Sequence, residues 1–182
     1  MKSRLALTTE ENAPEATRPV LSQLKQALGM VPNVYAAIGN SPGALSSLRA
    51  WSDALAKSSL SKREVELISL HVSELNGCGY CVSAHSALGA RVGVKPEELA
   101  AARTGTGANA RENALLALVR RVVRTGGARA GGELARLREA GVSDAEVIDI
   151  LAVVALNAFR NAVSIVSDLE IDFPKAENLP SP

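Results

Sequence analysis

Aromatic side chains are scarce: two Phe, two Tyr and one Trp in 182 residues. That is too few to line the stacking platforms on which single-stranded nucleic acid is bound, so an aliphatic core and no nucleic-acid partner are expected. An excess of one charge is lacking too. Twenty Lys and Arg face nineteen Asp and Glu, a formal net charge of +1, whereas a dedicated polyanion binder would be clearly basic. Cysteine is limited to Cys78 and Cys81, three positions apart, which excludes a disulfide scaffold of the secreted type. Long hydrophobic runs are absent as well. The most apolar stretch, Ile150 to Leu156, is followed by Asn157 and Arg160. It is far shorter than the ~18 residues a bilayer span requires and reads as a core or interface helix, so no membrane association is expected. The opening MKSRLALTTEEN reaches Glu10 and Glu11 after too short an apolar stretch for a secretory signal, and a cytoplasmic location is expected.

What is present describes a folded chain. Apolar residues make up 47% and charged residues 21%, the balance of a globular domain, and the length suits one domain with a substantial core. Apolar residues recur at spacings of three and four with no sustained alternation, so an all-α fold is expected. PEATRPVLSQLKQAL (14–28) carries one apolar face, kinked or divided at Pro19 and stopped at Gly29. A short helix follows Pro32, and Ser41-Pro42 opens the next as N-cap and first turn. Ser61-x-x-Glu64 is a capping box opening a helix to about Asn76. Gly77 breaks it, and Cys78 to about Val92 forms the following helix. Two shorter helices flank an apolar one that begins at Ala110, and Ser143-x-x-Glu146, a second capping box, opens a long helix ending near Glu170. The expected organisation is a single domain, with an N-terminal helical extension (1–60), a core (61–172) and a loose tail (173–182). A faint echo links 61–76 and 143–157, which share the cap and a terminal Leu-Asn.

The run that carries chemistry is Glu66-x11-Cys78-Gly-Tyr-Cys81-x3-His85. Cys78 falls at the N-cap and Cys81 in the first turn, where unpaired N–H groups and the helix dipole favour a thiolate. His85 lies one turn beyond Cys81 on the same face, and Glu66 on the preceding antiparallel helix can meet the group across the hairpin, to orient His85 or relay a proton. A bridge between the cysteines would need local adjustment, because Cβ atoms three apart within a helix stand about 5–6 Å from each other. Ser73 and Asn76 return to the Glu66 face, where hydrogen bonds to the thiol site are expected. His71 lies about 140° round the helix from Glu66 and is expected to pack or hydrogen-bond elsewhere. Zinc is the competing use of Cys78, Cys81 and His85, with Glu66 or His71 as fourth ligand, but three ligands from one short turn converge poorly. Val82 stands where a c-type haem motif requires histidine, and no βαβ pattern surrounds the motif as in a thioredoxin. Residues 111–138 hold seven Arg against two Glu, expected to form a solvated helix face.

Across about 31–93, including PNVYAAIGNSPGAL, SSLSKREVELISLHVSELNGCGYCVSAH and ALGARVGV, the chain resembles the AhpD-like alkylhydroperoxidases of the carboxymuconolactone decarboxylase superfamily. The true lactone decarboxylases lack the cysteine pair, so the resemblance implies the peroxidase branch. It implies an all-α fold around an antiparallel hairpin carrying Cys-x-x-Cys-x3-His, and a homo-oligomer, trimer or hexamer. It further implies Cys81 as peroxidatic cysteine, Cys78 as its resolving partner and proton donor, and Glu66 and His85 as the proton relay. From the residues alone the first thiol of the motif would be the attacker; the resemblance favours Cys81, which is within one turn of His85. One departure is Tyr80, which stands where well-studied members have a histidine. The expected activity is reduction of hydrogen peroxide or an organic hydroperoxide through a Cys78–Cys81 redox disulfide, with no bound cofactor and an external dithiol protein as reductant. A thiol-disulfide exchange protein serving a partner, or a zinc-stabilised oligomeric scaffold, are the alternatives.

Overall fold

The computed structural model describes residues 3–179, and among them every regular element is helical. A 3-10 turn at Glu15–Thr17 leads into α1 (Arg18–Leu28), with Pro19 in its first turn and Gly29 as a left-handed C-cap. The 14–28 segment is thus divided as expected, with the break just ahead of Pro19, between Thr17 and Arg18. α2 (Asn33–Ile38) and α3 (Pro42–Leu55) follow, the latter capped by Ser41. α4 (Lys62–Leu75) and α5 (Gly79–Arg91) form the antiparallel hairpin. α6 (Pro96–Thr104), α7 (Ala110–Thr125) and α8 (Gly131–Glu139) precede the long α9 (Asp144–Ser167), which stops at Asp168 in the left-handed conformation, two residues before the expected end.

Residues Leu67 to Ser73 of α4 are consecutively buried, the mark of a helix covered on all sides. Leu67 and Leu70 face a core with Val82, Leu99 and Leu116, while Ile68 and Val72 face Leu115, Val119, Ile150 and Val153. A third core joins α1–α3 to the cysteines through Leu21, Ile38, Leu45 and Leu156. Val153, Val154 and Leu156, read as core or interface, are buried within this chain. By length and composition α9 alone among the described helices suffices to cross a membrane. It instead packs against α2, α3, α4, α5 and α7 with Asn157, Asn161 and Ser164 buried on it, as a core helix does.

Both capping boxes form, Ser61 with Glu64 and Ser143 with Glu146. Arg111 of α7 joins them, with Nε 2.6 Å from Glu64 and Nη2 2.6 Å from Glu146. The two echoing helices thus start side by side. Further along, Asn157 donates to Ser69 at 2.9 Å and Asn161 to Ser73 at 3.2 Å, the same separation of 88 residues in each pair, so α4 and α9 run parallel. The Arg-rich stretch is in part an ion-pairing surface, because Arg121 pairs with Glu133 and Arg138 with Asp144. The segment after Pro174 has no regular structure but is fastened at two points: Ala176 N–H donates to Ser83 at 3.1 Å and Arg103 to the Glu177 carbonyl at 2.6 Å. Pro180 and Pro182 lie outside the described residues.

Candidate active site

Cys78 is the N-cap of α5, at φ −88° and ψ 88°, and its sulfur accepts the Cys81 N–H at 3.3 Å. It therefore stands outside the regular helix, which is the local adjustment that a Cys-x-x-Cys pair needs to bring its sulfurs together. Both thiols are free and buried, yet they differ in access. Cys81 lines a cavity of about 260 Å³ and Cys78 does not.

Their ionisation differs as well. Cys81 is drawn down to about 6, first by the hydrogen bond from the Cys78 thiol, then by the Ser164 hydroxyl, the charge of His85 and the Asn161 amide, against the opposing effect of burial. Cys78 is pushed up by the reciprocal hydrogen bond to Cys81 and by its own burial. The two shifts run in opposite directions, so the pair favours the thiolate on Cys81 and the proton on Cys78. Ser164 Oγ lies 3.5 Å from Cys81 Sγ, and its hydroxyl is the donor when Cys81 is ionised.

His85, one turn on, places Nδ1 2.8 Å from Glu66 Oε2 and Nε2 3.0 Å from Asn157 Oδ1. The Asn157 amide is fixed in this sense because its Nδ2 donates to the Ser69 hydroxyl and the Val153 carbonyl, both at 2.9 Å. Both ring nitrogens of His85 thus meet acceptors. The contacts are satisfied when the ring carries two protons, or when Glu66 carries one and donates it to Nδ1. Either arrangement puts a hydrogen bond between His85 and Glu66 one turn from Cys81.

The remaining sequence candidates sit further out. Ser73 and Asn76 do not reach the thiols; both bond Asn161, Asn76 through its amide at 2.9 Å, and support the site through it. Tyr80 is buried, accepts the Val34 N–H at 3.3 Å and packs edge-on against Phe173. Burial and the Asp172 carboxylate push its phenol well above the ordinary range, so it keeps its proton. His71 places Nδ1 3.2 Å from the Arg103 carbonyl, and burial lowers its pKa. No three His, Cys, Asp or Glu side chains among the described residues come together as a metal cluster.

Sequence reasoning missed Asn157, Asn161, Ser164 and Ser69. Their signal was available: three polar residues spaced four and three apart along the most apolar helix, one buried stripe in an otherwise aliphatic element.

The model of the carboxymuconolactone decarboxylase family matches residues 42–124, from α3 to the last turn of α7. Among solved structures, the chain is similar to an uncharacterized peroxidase-related protein from Ralstonia eutropha, described as an alkylhydroperoxidase AhpD core. The two are 25% identical, with TM-score 0.85 and coverage of 94% of this chain and 93% of that one. A peroxidase-related protein from a Silicibacter species is 26% identical, with TM-score 0.81 and coverage of 92% and 91%. The debrominase Bmp8, solved with 2,3,4-tribromopyrrole, has the same fold at 23% identity, TM-score 0.79 and coverage of 94% and 93%. No curated protein matches the chain.

Proposed function

We propose that the chain, matched over residues 42–124 by the carboxymuconolactone decarboxylase family model and similar in fold to AhpD-like peroxidase-related proteins, is a thiol peroxidase of that superfamily acting on hydrogen peroxide or organic hydroperoxides. The observation that carries this reading is the split between the cysteines: Cys81 lines the cavity and has a lowered pKa, whereas Cys78 is outside that lining and has a raised one.

Cys81 thiolate attacks the terminal oxygen of R–O–O–H. The O–O bond breaks, a sulfenic acid forms on Cys81, and the leaving alkoxide takes a proton held between His85 and Glu66. Cys78 sulfur then attacks the sulfur of the Cys81 sulfenic acid; the S–S bond forms, the S–O bond breaks, and the departing hydroxide leaves as water with the proton of Cys78. One peroxide and two thiols become an alcohol, water and a disulfide, which an external dithiol protein reduces again. The proposed setting is the cytoplasm, whose thiol pools supply such reductants, and no bound cofactor takes part.

The working unit in this reading is a homo-oligomer, trimer or hexamer. Ile148, Ala155, Phe159, Ala162 and Val166 are exposed along α9 at spacings of seven, four, three and four, the pattern of a helix–helix seam. Ile148 and Val166 are each 62% exposed, and a contiguous apolar stripe of this kind marks an interaction surface.

Stopped-flow oxidation of the reduced protein, with thiols counted before and after, tests the reading. The expected result is loss of two thiols per chain with peroxide alone, abolished by Cys81→Ser. Thiols that survive peroxide but oxidise with a dithiol partner would make the protein an exchange factor instead.

A further inference from the structure

Half-buried arginines in this chain generally hold carboxylates. Arg49 pairs with Asp53, Arg63 with Glu98 and Glu112, Arg103 with Glu74, Arg111 with Glu64 and Glu146, and Arg121 with Glu133. Arg120 is taken up by the Thr104 carbonyl, which its Nη2 reaches at 2.6 Å. Arg160 of α9 differs. Its Nη2 donates to the Tyr35 hydroxyl at 3.1 Å and the Ser52 hydroxyl at 2.7 Å, both neutral, and its guanidinium stands 5.7 Å from the centre of the Tyr35 ring. Its Nε is buried with no hydrogen-bond partner, and no carboxylate among the described residues pairs with it. A partly desolvated cation without a counter-charge is costly.

The location of Arg160 indicates what offsets that cost. It lines both the cavity over Cys81 and a second one of about 310 Å³ behind His85, and Tyr35, His85 and Leu88 are shared between the two. The first cavity is otherwise apolar, with Leu28, Met30, Leu88 and Phe173 on its walls. Its charged residues are Arg49, Arg91 and Arg160 against one acid, Asp172. That acid is held on one side only: Oδ2 accepts the Asn33 N–H at 2.6 Å, while Oδ1 is buried without a hydrogen-bond partner, so the lining keeps a surplus of two positive charges. An apolar chamber beside the Cys81 thiol, with a guanidinium in its wall that no carboxylate pairs, suits a molecule that is apolar along its body and anionic at one end.

We propose that the substrate of this site is a compact organic hydroperoxide bearing a carboxylate. Arg160 receives the carboxylate, the hydrocarbon lies against Leu28, Met30, Leu88 and Phe173, and the peroxide end meets Cys81 and His85. The inference rests on the peroxidase reading for its chemistry, but not for its recognition step.

Two measurements keep those parts distinct. In the first, rates of thiol loss are compared for a carboxylated hydroperoxide and the primary amide of the same skeleton. The acid is expected to react about tenfold faster or more, the scale of a charge-assisted hydrogen bond, and Arg160→Gln to bring the ratio close to one. In the second, the unreactive hydroxy acid and its amide are titrated calorimetrically into reduced wild-type protein, with the same preference expected for the acid. Equal binding of acid and amide to the wild type overturns the proposal even if Arg160→Gln fails to fold. So does a preference that survives in folded Arg160→Gln. Acid-selective binding without thiol loss from any peroxide would uphold the anion site and remove the peroxidase reading.

Discussion

At the scale of single residues, the chemistry turns on which sulfur keeps its proton. Because Cys81 is lowered to about 6, its thiolate predominates at neutral pH and declines on acidification. The rate of peroxide-driven thiol loss is expected to be flat above about pH 7 and to fall about tenfold per unit below the midpoint near 6, measured by stopped flow across pH 4.5–8. A midpoint near 8.5, the value of an ordinary thiol, would show that the hydrogen bonds from Cys78 and Ser164 do not act as described. Ser164→Ala removes the hydroxyl donor and is expected to move the midpoint upward. Asn157→Leu takes the acceptor from His85 Nε2 and should slow peroxide reduction while the Cys81→Ser control stays inactive. The proposed division of labour predicts a further contrast. Cys78→Ser should accumulate a Cys81 sulfenic acid that a dimedone probe traps, whereas Cys81→Ser should trap nothing.

Among the elements, the hairpin was readable because its signals are local. Glu66, Cys78, Cys81 and His85 lie within twenty residues, with a capping box before them and Gly77 between, so periodicity and turn chemistry place them together. The other half of the site was not read. Asn157, Asn161 and Ser164 arrive from α9, some eighty residues downstream, and only packing shows that α9 lies parallel to α4. The same separation hid Arg111, whose surplus of like neighbours suggested a solvated face although it bridges the caps of α4 and α9. Losing that bridge leaves two partly buried carboxylates without their cation, and Arg111→Met is expected to cost about 1–2 kcal/mol of unfolding free energy. Glu64 and Glu146 both have lowered pKa values, Glu146 to about 2. Their contribution is therefore complete above the ordinary carboxylate range and lost on acidification below it, that of Glu146 as pH falls toward 2. Acid unfolding followed by far-UV circular dichroism should move to higher pH in Arg111→Met. Ser61→Ala, which breaks one capping box, should cost about 1 kcal/mol in urea.

Over the whole molecule, the N-terminal extension is part of the site, since Leu24 and Leu28 of α1, Tyr35 of α2 and Arg49 of α3 wall the cavity that Cys81 faces. Removing residues 1–30 is expected to open the cavity and weaken any preference between peroxides. The outward stripe of α9 predicts assembly: Phe159→Glu with Val166→Glu should convert the oligomer to monomers in sedimentation velocity, whereas a wild type that already sediments as a monomer would leave the stripe without a partner. The parallel placement of α4 and α9 has one more consequence, for synthesis. A ribosome makes the hairpin with both cysteines well before it makes Asn157, Asn161 and Ser164. Until those residues emerge, Cys81 lacks its hydroxyl and amide donors and His85 lacks its amide acceptor. The nascent hairpin is thus expected to stay below its full reactivity toward oxidants until α9 has been made.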